Sequence, residues 1–222
     1  KMARCCRGAV VGNETLAAYV RPINPNVTLI PTCIDMTRHE EKRYAGQDHV
    51  ILGWTGLKDN LGYLEPIEAV LQDLAREHGV VLHIATGKPP YTLNGVTVEN
   101  ESWCLEREID YLQKADIGLM PLHDTPRARG KCAFKALQYM AVGTPVVLSP
   151  VGMNAEVVTD GVDGFHATTP EEWHDKLTRL IVDRELREKM GRAARETVQT
   201  RYSHEVYYPV LKKALIKVYK RE

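Results

Sequence analysis

Residues 129–147 read RGKCAFKALQYMAVGTPVV: two lysines, a glutamine, a glycine stop and then an apolar run. A helix starting near Lys131 and stopped by Gly143 would set Lys131, Lys135, Gln138 and Val142 on one stripe. Phe134, Leu137, Met140 and Ala141 would then face the core. Ammonium groups at a helix start oppose the helix dipole unless an anion lies between them. A diphosphate gripped by the lysines and the helix-start amides meets that condition; two solvated surface lysines are the plainer alternative.

Outward from this stretch, apolar runs alternate with amphipathic ones. VILGWTG (50–56), VVLHIATG (80–87), DIGLMPL (116–122) and PVVLS (145–149) read as buried strands. Helical spacing appears over 60–79, closed by Gly79, and over 107–115; a short helix starts near Asn154 and a turn over GVDGFHA (161–167) leads to a last strand. The final fifty or so residues read as helices only. Strand and helix in alternation imply an α/β fold, a doubly wound parallel sheet covered on both faces. GAVVGN and VTLIPTCID suggest two further strands around a helix in ETLAAYVRPIN. The expected division is residues 1–35 as a remnant of one unit, 36–49 as a polar linker, 50–202 as the complete Rossmann-like unit and 203–222 as a C-terminal helix.

Composition narrows the function. The 222 residues carry 29 Lys plus Arg against 29 Asp plus Glu, so there is no basic excess to release counterions from nucleic acid, and no nucleic-acid partner is expected. Five scattered cysteines without a C-x-x-C pair argue against a disulfide framework or a zinc site, and the histidines show no ligand spacing, so no metal is expected. No apolar run reaches the length of a bilayer span and no signal peptide is visible, which points to the cytoplasm. The Lys1-Met2 start reads as a piece of something longer.

In an open parallel sheet, ligands lie beyond the carboxyl ends of the strands. Three loops there carry suggestive chemistry: GWTGLKDN (53–60), with Gly56 and Lys58; PLHDTPRARGKCAF (121–134), ending in Gly130-Lys131; and SPVGMNAE (149–156), with Gly152, Met153 and Asn154. Each is read as offering free backbone N–H groups at a positive helix end.

The stretch GKCAFKALQYMAVGTPVVLSPVGMNAEVVTDGVDGF resembles the donor-binding signature of family 4 glycosyltransferases, which have the two-domain GT-B fold. The matching pieces are Pro121, QYMAVGTPVV, VGMNAEVV and DGVDGF; VILGWTG with LKDN resembles the first loop of the family's C-terminal domain. The resemblance implies retaining transfer of a sugar from a nucleotide-diphosphate sugar bound by this C-terminal half. The nucleotide sugar is substrate, and no other cofactor and no metal is called for, since lysines and helix amides neutralise the leaving diphosphate. It also implies an N-terminal domain, beyond these residues, that holds the acceptor, whether a sugar, a lipid-linked glycan or another group.

Two departures stand out. The family's signature has two glutamates, one touching the donor sugar and one the ribose; aligned on MA-x-G-x-PVV they fall on Gly130 and Gln138. Gln138 can still accept from and donate to ribose hydroxyls, whereas Gly130 offers only its backbone. Asp124, in the long preceding loop, is the candidate for the lost sugar contact, with a loop or cap role as its alternative. Trp103, in ESWCLEREI where the family seats the base, is a candidate neighbour of the base, with packing as the commoner use of a tryptophan. Lys131, Lys135 and Asp124 are thus the candidate catalytic residues. Gly56, Lys58, Trp103, Gly130, Gln138, Gly152, Met153 and Asn154 are the candidate donor-binding residues. Glu108 and Glu156 read as helix caps or ion-pair partners, and Trp54 as core. The C-terminal helix, with Lys212, Lys213, Lys217, Lys220 and Arg221 on one side, reads as docked or solvated, with peripheral contact to the inner face of a membrane as the alternative. Loss of both carboxylates keeps a catalytically degenerate binding module open as a second reading; a sugar-nucleotide epimerase, lacking its carboxylate and histidine cluster, is a more distant third.

Overall fold

The computed structural model describes residues 2–44, 49–87 and 90–219. The chain opens with a short helix α1 (Met2–Cys5), then β1 (Ala9–Val11), α2 (Glu14–Val20) and β2 (Val27–Leu29), the two strands pairing in parallel. The main sheet comes next: β3 (Ile51–Thr55), β4 (Val81–Thr86), β5 (Thr97–Ser102), β6 (Ile117–Met120), β7 (Val146–Leu148) and β8 (Phe165–His166), in the order β5-β4-β3-β6-β7-β8, all parallel. Between them run a 3₁₀ segment (Lys58–Ile67) leading into α3 (Glu68–His78), then α4 (Glu108–Lys114), the single turn α5 (Pro126–Arg129), α6 (Phe134–Ala141) and α7 (Asn154–Val157). Three helices close the chain: α8 (Pro170–Val182), α9 (Arg184–Arg201) and α10 (His204–Tyr219).

The doubly wound parallel sheet expected from the sequence is present. Both its faces are covered, because β3, β4, β6 and β7 are buried along their whole length and need apolar partners on each side. One core lies under α6 and α9 and includes Leu137, Met140, Ala194 and Val198; the other lies under α3 and α8 and includes Leu71, Leu74, Trp173 and Leu177. β5 escapes the sequence pattern because Thr97–Ser102 is an edge strand, mostly polar and half-exposed.

The seat of α6 determines where the side chains at the carboxyl edge of the sheet stand. Gly53 of β3 and Gly118 of β6 stand side by side in register, and the ring of Tyr139 lies over both. A Cβ at Gly118 would come within 2.6 Å of the Tyr139 ring, and one at Gly53 within 3.0 Å of its hydroxyl. The paired glycines therefore let α6 approach the sheet closely, and Tyr139 is wholly buried there.

The expected polar linker is not free in its described part, 36–44. The Lys42 backbone N–H donates to Val142 O at 2.8 Å, its ammonium reaches Asp116 at 3.4 Å, and Tyr44 donates from Oη to Gly143 O at 2.7 Å. Lys42 and Tyr44 thus satisfy buried carbonyls at the end of α6, while Thr37, Arg38, Glu40, Glu41 and Arg43 face water. Residues 45–48 of that stretch, and Lys220 and Arg221 of the tail, lie outside the described residues. Residue Ile34 bridges to Ser203 at the α9–α10 junction, and Val218 of α10 packs against Gly8, so the last helix returns to the N-terminal segment.

Gly118→Ala is expected to lower unfolding free energy by about 1–3 kcal/mol through overpacking against Tyr139. Gly62→Ala, which meets only the flexible end of Glu65 at 3.4 Å, should leave the denaturation midpoint nearly unchanged in the same experiment.

Candidate functional site

The loops after β3, β6 and α5 converge at the carboxyl ends of the strands around two neighbouring hollows. One, of ≈ 240 Å³, is walled by Trp54, Tyr63, Pro121, Lys131, Phe134 and Lys135. The other, of ≈ 530 Å³, is walled chiefly by Gly56, Lys58, Trp103, Glu108, Lys135 and Gln138. Lys135 borders both.

The two amines do converge, though not by the helical spacing the sequence suggested. Thr125 caps α5 with its hydroxyl accepting from Ala128 N–H, Pro126 starts that turn, and Gly130 ends it. Ala133 then takes a left-handed conformation (φ 52°), so α6 begins only at Phe134. Lys131 consequently sits in the connecting loop, not on the helix. A non-glycine residue in that region carries a strain of about 1 kcal/mol or more, and here it re-aims the chain between the turn and α6. Phe134, expected on the core side, is instead 47% exposed and lines both hollows.

Each amine rests on an aromatic face. Lys131 Nζ lies 4.0 Å from the centroid of Tyr63, and Lys135 Nζ 4.5 Å from that of Trp54. Trp54 is the core residue expected, yet its ring also forms the floor under Lys135. Burial first, and the positive charge of Lys131 second, push the Lys135 amine down to about 8. No side chain caps the start of α6, so its first-turn amides add positive potential on the same side. Two cations held together without a carboxylate between them make a site suited to an anion.

Gly56 serves this arrangement by omission. A Cβ there would come within 2.6 Å of the Trp54 ring and collide with Lys135 Nζ. Its backbone is already engaged, its N–H donating to Ala85 O at 3.1 Å and its carbonyl accepting from Thr86 Oγ1 at 2.6 Å, so it is not a free amide donor. Gly130 likewise has its N–H tied to Pro126 O at 3.3 Å.

Gln138 is buried, lines the larger hollow, and its Nε2 has no hydrogen-bond partner among the described residues. An orphaned donor in such a position asks for a ligand acceptor. Trp103 stands 46% exposed at the same hollow, which excludes the core role, and Lys58 lies exposed beside it. Glu108 opens α4 and lines this hollow too, and it makes no ion pair among the described residues.

Other candidates fall elsewhere. Asp124 is held in a two-pronged exposed pair with Arg129, at 2.6 and 2.7 Å, and faces a separate hollow with Ser149 and Pro150. Gly152 (φ 56°) is pressed against the Arg129 backbone. Met153 packs into the core, and Asn154 is buried with Nδ2 donating to Ser149 O at 3.1 Å, so this third loop supports the site from beneath. Tyr63, expected only as part of a helical stretch, Asn60, without an expected role, and Phe134, expected in the core, all line the smaller hollow. Among the described residues no group of three or more His, Cys, Asp or Glu side chains is placed to hold a metal ion, and no helix is long and apolar enough to cross a membrane.

Comparisons with known proteins bear on the fold that carries this geometry. Residues 94–197 match the family model for glycosyl transferases group 1. A D-inositol 3-phosphate glycosyltransferase of Paenarthrobacter aurescens (strain TC1) is 33% identical over 129 residues, covering 56% of this chain and 26% of that protein. Among solved structures, sucrose-phosphate synthase from Thermosynechococcus elongatus superposes with a TM-score of 0.74 at 17% identity, over 96% of this chain and 58% of that one. Anabaena Alr3699/HepE in complex with UDP-glucose does so with a TM-score of 0.75 at 13% identity, over 95% and 64%. The chain thus spans about a quarter of the curated relative's length. Residues 94–197 thus match the group 1 glycosyltransferases, and the chain has the fold of one half of a GT-B glycosyltransferase.

Proposed function

We propose that this chain is the donor-binding half of a retaining glycosyltransferase that takes its sugar from a nucleotide diphosphate sugar. The observation that carries the reading is the pair of amines, Lys131 and Lys135, meeting over Tyr63 and Trp54 between two hollows. In this arrangement the nucleoside occupies the larger hollow, its base beside Trp103 and its ribose at Gln138. The diphosphate lies at Lys135 and Lys131, and the sugar extends into the smaller hollow. As the bond from the anomeric carbon to the phosphate oxygen breaks, negative charge gathers on the leaving diphosphate. Ammonium groups already aimed there stabilise that charge more than they stabilise the intact donor. The positive charge thus comes from side chains, which supports metal-independent chemistry with no cofactor beyond the donor itself.

The UDP-glucose complex of a protein with the same fold supports a nucleotide-sugar ligand. The acceptor would be supplied by an N-terminal domain, and the scattered free cysteines support a cytoplasmic setting. Lys212, Lys213 and Lys217 on α10 would permit contact with an anionic inner leaflet. The missing carboxylates at Gly130 and Gln138 favour a second reading, a binding module without catalysis.

Lys131→Ala and Lys135→Ala are each expected to weaken UDP binding at least about tenfold by calorimetry, the loss of a charge-assisted contact, with melting otherwise normal. Unchanged affinity in both would remove the site. The lone 222-residue chain should bind UDP yet transfer no sugar, as measured by product formation from a labelled donor; transfer by this chain alone would refute the division of labour.

Lys135 also makes a stability prediction. Its amine titrates near 8 when folded, below the ordinary 10.5, so between those values the folded state holds fewer protons than the unfolded one. Stability should therefore rise with pH through that window. Lys135→Met should stabilise the fold at neutral pH, by about 2 kcal/mol, while weakening the ligand, a trade that denaturant titration and calorimetry together would show.

A further inference from the structure

We propose that Asn13 is a positioning residue for the diphosphate clamp, its side-chain amide fixing the backbone that carries Lys131. The proposal rests on the reading of Lys131 as a diphosphate ligand.

Asn13 is 3% exposed and works in two directions. Its Oδ1 accepts from Leu16 N–H at 2.9 Å and so caps α2. Its Nδ2 donates to Lys131 O at 3.0 Å, across a sequence separation of 118 residues, with Arg129 O at 3.5 Å and Cys132 Sγ at 3.7 Å beside it. Capping needs only an acceptor, which serine, threonine or aspartate supplies as well. The donor half of the amide is surplus to that task and is directed wholly at the Lys131 loop.

The contact is tight on both sides. Gly12 leaves no room for a Cβ, since one would sit against Cys132 Sγ at 2.4 Å. Within the loop, Lys131 N–H donates back to Ala128 O at 3.0 Å, which ties the residue to the α5 turn. Asn13 holds its carbonyl from the opposite side. Between these two anchors and the left-handed Ala133, the Lys131 backbone has little freedom, and its side chain leaves in the direction of Tyr63. Placement of the first amine thus depends on the β1–α2–β2 segment, whereas Lys135 is placed by α6 alone.

The test is UDP binding by full-length protein, measured by calorimetry from about pH 6.5 to about pH 9.5. Asn13→Ser keeps an oxygen for the cap and removes the amide Nδ2 that reaches Lys131 O. Asn24→Ala serves as comparison, because Asn24 is also buried and its amide bonds stay within the N-terminal segment: Nδ2 donates to Ala3 O and Cys6 O, and Oδ1 accepts from Asn26 N–H. Asn13→Ser should weaken UDP about fivefold at neutral pH. It should also move the alkaline loss of binding to higher pH, because Lys131, the neighbouring cation that lowers Lys135, no longer stands in place. Lys58, Asp59 and Glu108, which face Lys135 across the larger hollow, stay unchanged. Combined with Lys131→Ala, Asn13→Ser should add no further loss. Wild-type affinity and midpoint in Asn13→Ser, full additivity in the double variant, or the same changes in Asn24→Ala would each overturn the proposal. If the wild-type protein binds neither UDP nor GDP, the donor-site reading itself fails, and the proposal with it.

Discussion

Tyr139 lying across Gly53 and Gly118 is the contact on which the site is built. Two adjacent strands give up their side chains at one level of the sheet, and a wholly buried aromatic ring fills the space. That contact fixes the height and rotation of α6, because a packed aromatic has few alternative positions in an interior as dense as a crystal. With the helix so placed, Gln138 and Lys135, just before Tyr139 in sequence, rise towards the carboxyl ends of the strands. The chemistry of the site is thus a consequence of core packing two glycines deep in the sheet.

Against that scaffold the two lysines are in tension. Lys135 is desolvated over Trp54 and repelled by Lys131, and both effects depress its proton affinity. The aromatic faces beneath the two amines offset part of this, and among the described residues no carboxylate pairs with either. The pair is therefore a place of concentrated positive potential, the kind of preorganised charge on which the proposed donor site rests. Gly56, with its backbone fully engaged and no side chain, keeps the space that the Lys135 amine needs.

The parallel sheet was legible because β3, β4, β6 and β7 are largely apolar runs, and α6 because its periodicity is strong. β5 was not, since an edge strand of threonine, glutamate and asparagine carries no apolar signal. The meeting of Lys131 and Lys135 was legible as a pair but not as a geometry: the left-handed Ala133 has no mark in the sequence, and it turns an apparent helical stripe into a loop and a helix start. Phe134 moved outward for the same reason. Tyr63 and Asn13 were invisible because their roles come from contacts far away in the chain. Gly152 is pressed against the Arg129 backbone and the side chains of Met153 and Asn154 belong to packing, while Asp124 is paired with Arg129.

Since the Lys131 backbone is held from the N-terminal segment and Lys135 is carried by α6, the pair of amines joins two parts of the chain. The most direct test is a crystal structure of the protein with UDP. A β-phosphate lying between Lys131 Nζ and Lys135 Nζ, with oxygens about 3 Å from each, and a uracil beside Trp103 is the expected result. A nucleotide seated instead in the hollow by Asp124 and Ser149, with both amines turned to solvent, would contradict it.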